Sequence, residues 1–451
     1  MEKFPRLISA CLAIFLVLTM GLAGCGDAKE AGGEAATGTV AAVTAATEAP
    51  KEPVTIQWWQ FWDIGDEPTS IKATAIDQFM KDNPDIIVEA TKLGWGDGFS
   101  RIQTAIGAGT APDVLELGST WVGAFSDVGA LSDLSKLITP EIKDKFVNWN
   151  LGEKDGKIYA FPWGVGTRAM AVNYDLVAQA GLDIANFKTW NDLLAFAKAI
   201  KEKCGVPGFN INTGDPTGDY QFFGNFLYSA GGAMIVKKQV DGNEKEVAGV
   251  NTDESKKALK FLMDMKPYSS IDNNANAALA FENNKLGMYI VDATFTGAMK
   301  KDGAAVKNWG YEMIPANPET GKTYAFSGAE VLVIPEQSKN KEAGFKYLTY
   351  LADEATALEV CKLCNYGILP STKTAGDLDI FKNPADDSAK RVGKYIEIMK
   401  TNSTWAPPLN KSVEDIGMRI STMLQEIFLN NTPVDKATED CEKDVSKLWL
   451  K

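Results

Sequence analysis

The sequence predicts an α/β fold with more than one hydrophobic core. Three observations predict it. β-rich runs alternate with helical stretches along the chain, and two strand-helix-strand units follow one another early in it. The body from Val54 to Lys451 is roughly 400 residues, too long for one core and suited to two or more.

The elements follow in order. "VTIQWWQFW" at 54–62 is a β-rich run, and after a loop Ile71, Ala75, Phe79 and Met80 trace a helical face that stops at Asn83-Pro84. "DIIVEA" returns to strand. Phe99, Ile102 and Ile106 mark a helix closed by "GAGTAP", and "DVLEL" is the next strand. Such succession argues for a parallel sheet with helices on its faces. Beyond residue 160 the rhythm recurs in "RAMAVNYD", in a helix opened by Thr189 with Asp192 as its capping box, and in "VPGFNIN". "LGMYIVD", "WGYEMIP" and "AEVLVIP" are later strands. The last hundred or so residues are mostly helical, with Ile416, Ile420, Met423 and Ile427 on one face. No short internal repeat suggests a solenoid.

The N-terminal stretch has its own logic. Lys3 and Arg6 precede an apolar run from Leu7 to Ala23 that ends in small residues, the order of a bacterial export signal. A retained anchor helix is the competing reading, because the run sits at the lower limit for spanning a bilayer. The tetrad Leu22-Ala23-Gly24-Cys25 resembles the lipobox of bacterial lipoproteins. That resemblance implies cleavage of residues 1–24 and lipidation of Cys25, and two or more acyl chains give stable membrane attachment. Residues 26–52, rich in Ala, Gly, Thr and Glu and without an aromatic, cannot bury enough surface to fold. As a flexible coil they form a tether whose ends lie on the order of 30 Å apart.

Composition narrows the chemistry. The chain is 45% hydrophobic and 23% charged, as a globular protein is, and no other run is long and apolar enough to cross a bilayer. A formal net charge of −13 argues against nucleic acid or anionic lipid as a general partner. The chain has no histidine, which removes Ser-His-Asp and Cys-His catalysis and histidine metal sites. Carboxylate-pair and lysine chemistries survive. Cys361 and Cys364 have C-x-x-C spacing, but a second zinc pair and a thioredoxin-like context are both missing. Structural thiols or an incidental disulfide are the expectation for them and for Cys204, and Cys441 falls on the buried line Ala437, Cys441, Val445. "TGDPTGD" at 213–219 could hold calcium through Asp215 and Asp219, but reads as a polar turn. No cofactor and no metal are expected.

Several segments in order resemble the extracellular solute-binding proteins of ABC importers, in their oligosaccharide (maltose-type) class. The carriers are "VTIQWWQFW", "FMKDNPDIIVEA", "AIGAGTAPDVLEL", "KIYAFPWGVGTRAMAVNYDLV", "YSAGGAM", "FENNKLGMYIVD", "FSGAEVLVIPEQSKNKEAGFKYLTYL" and "YGILPSTK". The resemblance implies a two-lobed, type II periplasmic-binding-protein-like fold, with a cleft between α/β lobes and chain crossings that act as a hinge. Carried onto this sequence, lobe one holds 53–163 and 313–355 and lobe two 167–310 and 358–451. The crossings fall near Trp163–Arg168, Trp309–Met313 and Ala355–Glu359. It also implies a monomer on the outer face of the cytoplasmic membrane that binds an oligosaccharide and delivers it to permease subunits.

The residues themselves point to the same cleft, because ligands in open α/β sheets sit beyond the carboxyl ends of the strands. Trp59, Trp62 and Asp63 end the first strand and Trp95 follows the second. Glu116, Ser119 and Trp121 lie at or after the end of the third, and Asp292 and Phe295 end another. Aromatic rings stack on the C–H face of a pyranose, while fixed carboxylates, amides and guanidinium groups pair with its hydroxyls. Trp58 reads as core; Trp59 and Trp62 are open between cleft and packing, since alternation does not say which face is inward. Trp121 and Trp405 match family positions where an aromatic platforms the sugar. Trp405 sits in "STWAPPLN", whose prolines favour an exposed loop. Tyr220 and Gln221 align with a ligand-facing helix start, though "DYQFFGNF" could equally be a core stripe. Arg168 clamps hydroxyls or bridges the lobes. Gly328 and Glu330 resemble the family's Gly-Gly-Glu turn, with Ala329 in place of its second glycine. Two other classes stay open: a binder of a non-sugar solute such as a polyamine, and a surface glycoside hydrolase with paired carboxylates.

Overall fold

The computed structural model describes residues 52–449 except 67–69, 241, 293–303, 364–367, 384–386 and 402–403. The export-signal, Cys25 and tether expectations, with Phe295 and Cys364, lie outside the described residues.

The strands that build the main sheets are β1 (Val54–Gln60), β2 (Ile86–Lys92), β3 (Val114–Gly118), β4 (Phe161–Thr167), β5 (Ala169–Asn173) and β6 (Phe209–Asn212). They continue with β7 (Ser269–Asp272), β8 (Met288–Val291), β9 (Trp309–Glu312), β10 (Ala325–Val333), β11 (Leu369–Pro370) and β12 (Thr404–Trp405). One sheet runs in the order β11-β4-β10-β3-β1-β2, with β12 added on β10. The other runs β7-β6-β8-β5-β9.

Each sheet is mixed, a departure from the parallel sheets expected. β1 pairs β2 and β3 in parallel, as the strand-helix-strand rhythm requires, but β10 lies antiparallel to both β3 and β4. In the second sheet β6 is parallel to β7 and β8, while β5 is antiparallel to β8 and β9. The antiparallel members are those that carry the chain from one sheet to the other. They enter from the opposite end and need no helical crossover to return.

Central strands here are buried on both faces, which is why they read as apolar runs without alternation. Val114 and Leu332 face one core with Ile56, Trp58, Tyr347 and Leu348. Their neighbours Leu115, Leu117, Val331 and Val333 face a second core with Trp121 and Phe125. The other sheet has its own core, where Met170, Val172, Ile211 and Ile290 pack against the helices Trp190–Cys204, Pro216–Ser229 and Val413–Phe428. The predicted capping box is present: Thr189 N–H donates to the Asp192 carboxylate at 2.7 Å, and Asp192 N–H donates back to the Thr189 hydroxyl. Ile416, Ile420, Met423 and Ile427 are buried together, as are Ala437, Cys441 and Val445.

One boundary moves. Residues after 358 were expected in lobe two, yet Val360, Cys361, Leu369, Phe381, Val392 and Ile396 all pack into the core around Trp58. β11 also pairs with β4. The change of core falls within the helix Asp387–Lys400, where Tyr395 and Ile398 join the other core while Val392 and Ile396 stay behind. An amphipathic helix can serve two cores from two faces, and residue spacing alone does not say that it does. Among the described residues, no helix is long and apolar enough to cross a membrane.

Candidate functional site

β4 ends at Thr167 and β5 starts at Ala169, so Arg168 alone separates a strand of one sheet from a strand of the other. Its guanidinium donates to Asp292 Oδ2 at 2.6 Å, donates to the Gln221 amide oxygen, and lies over the Phe326 ring at 5.5 Å. Arg168 thus gathers the end of β8, the helix Pro216–Ser229 and β10 around the first crossing. Of the two roles open from sequence, the contacts here are those of a charge partner: the carboxylate it pairs with, Asp292, is itself a predicted site residue.

Beside it stands a buried carboxyl pair. In the β3/β10 register Glu330 faces Gly118 and Leu332 faces Glu116, so Glu116 and Glu330 lie diagonally on one face of the sheet. Gly118 leaves the position opposite Glu330 without a side chain. Glu116 is fully buried and accepts from Phe61 N–H at 3.0 Å and from Trp62 Nε1–H at 2.9 Å. It therefore fixes the chain as it leaves β1. Burial pushes the Glu116 carboxyl up to about 8, against the two hydrogen bonds that favour its charged form. Burial raises Glu330 as well, helped by the negative charges of Glu116 and Asp292 and opposed by Arg168. Glu330 as a residue is partly accessible, but its Oε2 is sealed and has no hydrogen-bond partner among the described residues. On β1, Gln60 is fully buried; its oxygen accepts from Trp62 N–H at 2.5 Å and its Nε2 is also unpartnered.

The aromatic candidates separate. Trp95 is 44% exposed and stacks on Phe61 with centroids 3.9 Å apart and planes 14° apart. A Cβ on Gly118 would come within 3.4 Å of the Trp95 ring, so this exposed indole stands at the end of β3. Trp121 is only 2% exposed and packs edge-on to Phe61 and Phe99. Trp58 is core, as expected; Trp59 and Trp62 are both half-buried and flank opposite faces of the sheet, packing against separate cores. Trp405 departs from the exposed loop expected. It lies in β12, paired to β10 through Phe326, is 5% exposed, and stacks on Tyr228 at 4.6 Å. Its Nε1–H donates to Asn225 at 3.1 Å, and Gly224 makes room for it, since a Cβ there would sit 1.9 Å from the ring. Prolines bar a helix but not a short strand, and neighbouring rings then bury the indole.

The remaining candidates are structural or peripheral in their contacts. Tyr220 is buried and donates to Glu414 at 3.1 Å, while Gln221 is buried against Arg168. Ser119 Oγ accepts from Ala329 N–H at 3.1 Å, which ties the turn after β3 to β10 beside Gly328. Asp63 is exposed and paired with Lys92. Asp219 accepts from Asn212, Gly214 and Ser421, which makes "TGDPTGD" a pinned polar turn. No group of three or more Cys, Asp or Glu among the described residues could hold a metal ion. Sequence reasoning missed Gln60, Phe61, Asn225, Phe326 and Glu414. Gln60 carried a signal, being a polar residue in a β-rich run at the strand end; the others look like ordinary core or surface positions.

Comparison with known proteins places the chain. The family model described as bacterial extracellular solute-binding protein matches residues 37–357. The diacetylchitobiose binding protein of Streptomyces coelicolor is 26% identical over 356 residues, covering 76% of this chain and 79% of that protein. The arabinooligosaccharide-binding protein of Bacillus subtilis is 23% identical over 367 residues, covering 75% and 74%. Among solved structures, the GacH receptor of Streptomyces glaucescens superposes with a TM-score of 0.74 at 20% identity, covering 88% of this chain and 99% of that one. The cyclic alpha-maltosyl-1,6-maltose binding protein of Arthrobacter globiformis gives 0.72 at 22%, covering 88% and 99%. The fold is thus that of the type II periplasmic binding proteins.

Proposed function

The chain belongs to the bacterial extracellular solute-binding protein family, and from that premise we propose that it captures an oligosaccharide between its two lobes and hands it to the permease of an ABC importer. The single observation that carries this reading is Arg168. One residue at the crossing between the sheets holds Asp292 and Gln221 at once. An exposed indole, Trp95, stands at the end of β3 and polar groups stand at other strand ends, the chemistry that a pyranose needs. Relatives named for diacetylchitobiose and arabinooligosaccharides support a sugar cargo.

Lobe one comprises 53–163, 313–355 and the segment to about residue 396; lobe two comprises 167–310 and the chain from about 398. Ligand contacts are assigned to Trp62, Trp95, Glu116, Arg168, Gln221, Asp292 and Glu330, with Trp59, Trp121 and Trp405 forming the walls behind them. The protein acts as a monomer, without catalysis, held outside the cell by lipid on Cys25. Closure follows only to the extent that ligand binds the closed state better than the open one. Transport energy comes from partner subunits, since the sequence contains no G-x-x-x-x-G-K-[ST] phosphate loop.

The test is calorimetry of the purified protein against a panel of oligosaccharides, with the sugars recovered and weighed by mass spectrometry. One-to-one binding of an intact sugar is the expected result. Cleaved sugar would instead make Glu116 and Glu330 a hydrolytic pair, and binding of polyamines alone would overturn the cargo.

A further inference from the structure

After Trp405 the chain leaves the core of lobe two, touches lobe one and returns. Trp405 and Ile416 are both buried in the lobe-two core. Between them, Ala406 and Leu409 pack against the lobe-one core of Leu117, Trp121 and Phe125. The Lys411 N–H donates to Asp127 Oδ2 at 3.1 Å, and the other oxygen of Asp127 pairs with Lys154. Asp127 ends the helix Val122–Asp127 and Lys154 ends the short strand Glu153–Lys154, both in lobe one. The two backbones meet at Gly123, where a Cβ would sit 2.5 Å from Asn410 N and 2.8 Å from Leu409 C. A residue without a side chain is what lets them approach so closely. Beyond this contact, the helix Val413–Phe428 lies against the turn Ser119–Trp121 and the helix Val122–Asp127.

The segment is also braced from within. The Asn410 side-chain oxygen accepts from Ser412 N–H at 2.8 Å, and its carbonyl accepts from Val413 N–H at 3.2 Å. Fixed at both ends in the lobe-two core, such a segment moves with lobe two. Opening about the Arg168 crossing then lifts it off lobe one: the bond to Asp127 breaks, and Ala406 and Leu409 lose their apolar cover. A charged acceptor strengthens a hydrogen bond, and apolar surface returned to water is unfavourable. Both effects favour contact between the lobes with no ligand needed.

We propose, deepening the sugar-capture reading and resting on it, that residues 406–411 form a strap that holds the lobes together before sugar arrives, with Asp127 as its anchor and Gly123 as its seat. The ligand-free protein is then mainly closed. Sugar selects a state already populated, so little affinity is lost to closing. The penalty is kinetic, because sugar enters only while the strap is lifted.

The experiment measures the separation of the lobes by electron–electron double resonance in the purified full-length protein, dialysed free of sugar. Nitroxide labels are carried on unnatural amino acids at Ser100 and Ala275, exposed positions in the first turns of the helices Gly98–Ala108 and Asn274–Glu282. These helices follow β2 and β7 at their carboxyl ends, so the labels mark the two rims of the cleft. In the unaltered protein the separation seen in this structure is expected to predominate. Asp127→Ala is expected to raise the ratio of open to closed molecules about fivefold, and Gly123→Val, whose side chain displaces Asn410, to raise it further. Both variants are checked for a cooperative melt. A longer separation predominating in the unaltered protein overturns the strap, and so does an unchanged distribution in folded Asp127→Ala. Should Gly123→Val not fold, Asp127→Ala, which alters one exposed carboxylate, still decides. Separations that behave as expected in a protein that binds no oligosaccharide overturn the capture reading alone.

Discussion

The Tyr220 hydroxyl donates to Glu414 Oε1 at 3.1 Å, joining the helix Pro216–Ser229 to the first turn of the helix Val413–Phe428. Thr217 donates to the same carboxylate, and Thr120 and Trp121, from the turn after β3, lie near enough to favour its charged form. One half-buried carboxylate therefore joins two helices of one core, close to a turn of the other sheet. Burial raises its proton affinity, and the neighbouring donors oppose that.

Glu414→Ala strands the buried Tyr220 hydroxyl and is expected to lower stability by about 1–3 kcal/mol, whereas Tyr220→Phe, which leaves Glu414 its other donors, costs about 1 kcal/mol. Denaturant melts of both variants check the order.

Glu116 gives stability a pH dependence with a definite sign. Its folded proton affinity is raised from the usual 4.5 to about 8, so the folded protein binds more protons than the unfolded chain between those values. The contribution is fully present below about 4.5 and is lost as pH rises toward about 8. Melting temperature is expected to fall across that window, and Glu116→Gln to flatten the fall. An equally steep curve in the variant would assign the dependence to other groups.

Trp95 and Trp58 should part company. Trp95 is exposed and stacked only on its own wall, so Trp95→Ala is expected to cost about 1–2 kcal/mol of sugar affinity with little change in stability. Trp58 is fully buried between Trp163 and Tyr347, and Trp58→Ala is expected to cost about 3–5 kcal/mol of stability. Paired melts and titrations separate the two effects.

Arg168→Lys keeps the charge but not the planar fork that reaches Asp292 and Gln221 together. Affinity is expected to fall at least tenfold, about 1.4 kcal/mol or more. A cycle with Asp292→Asn is expected to show coupling of about 0.5–3 kcal/mol, because the two groups are in contact. Additive losses would mean that the pair does not act as a unit.

Much of the fold was legible because it is written in local periodicity. The Thr189–Asp192 box, the buried line Ala437, Cys441, Val445 and the breaks at glycine and proline all act within a few residues. The ends of β1 and β3 were legible as candidate positions for a similar reason, since polar groups interrupt apolar strands there. The 358–396 segment was not, because its amphipathic helices carry no mark of which core they join. Nor was the burial of Trp405, which depends on Tyr228, Phe326 and Gly224, residues distant in sequence.

By itself, the sequence determined that this is an α/β chain of more than one core, acidic and without histidine, with aromatics and carboxylates at strand ends. Tertiary structure alone decided that Arg168 meets Asp292 and Gln221, that Glu116 and Glu330 share a sheet face, and that Trp95 and not Trp405 is the exposed ring. The physical reason is range. Periodicity and capping act over one turn or one strand, whereas charge pairing and burial depend on which distant segments the strand register brings side by side.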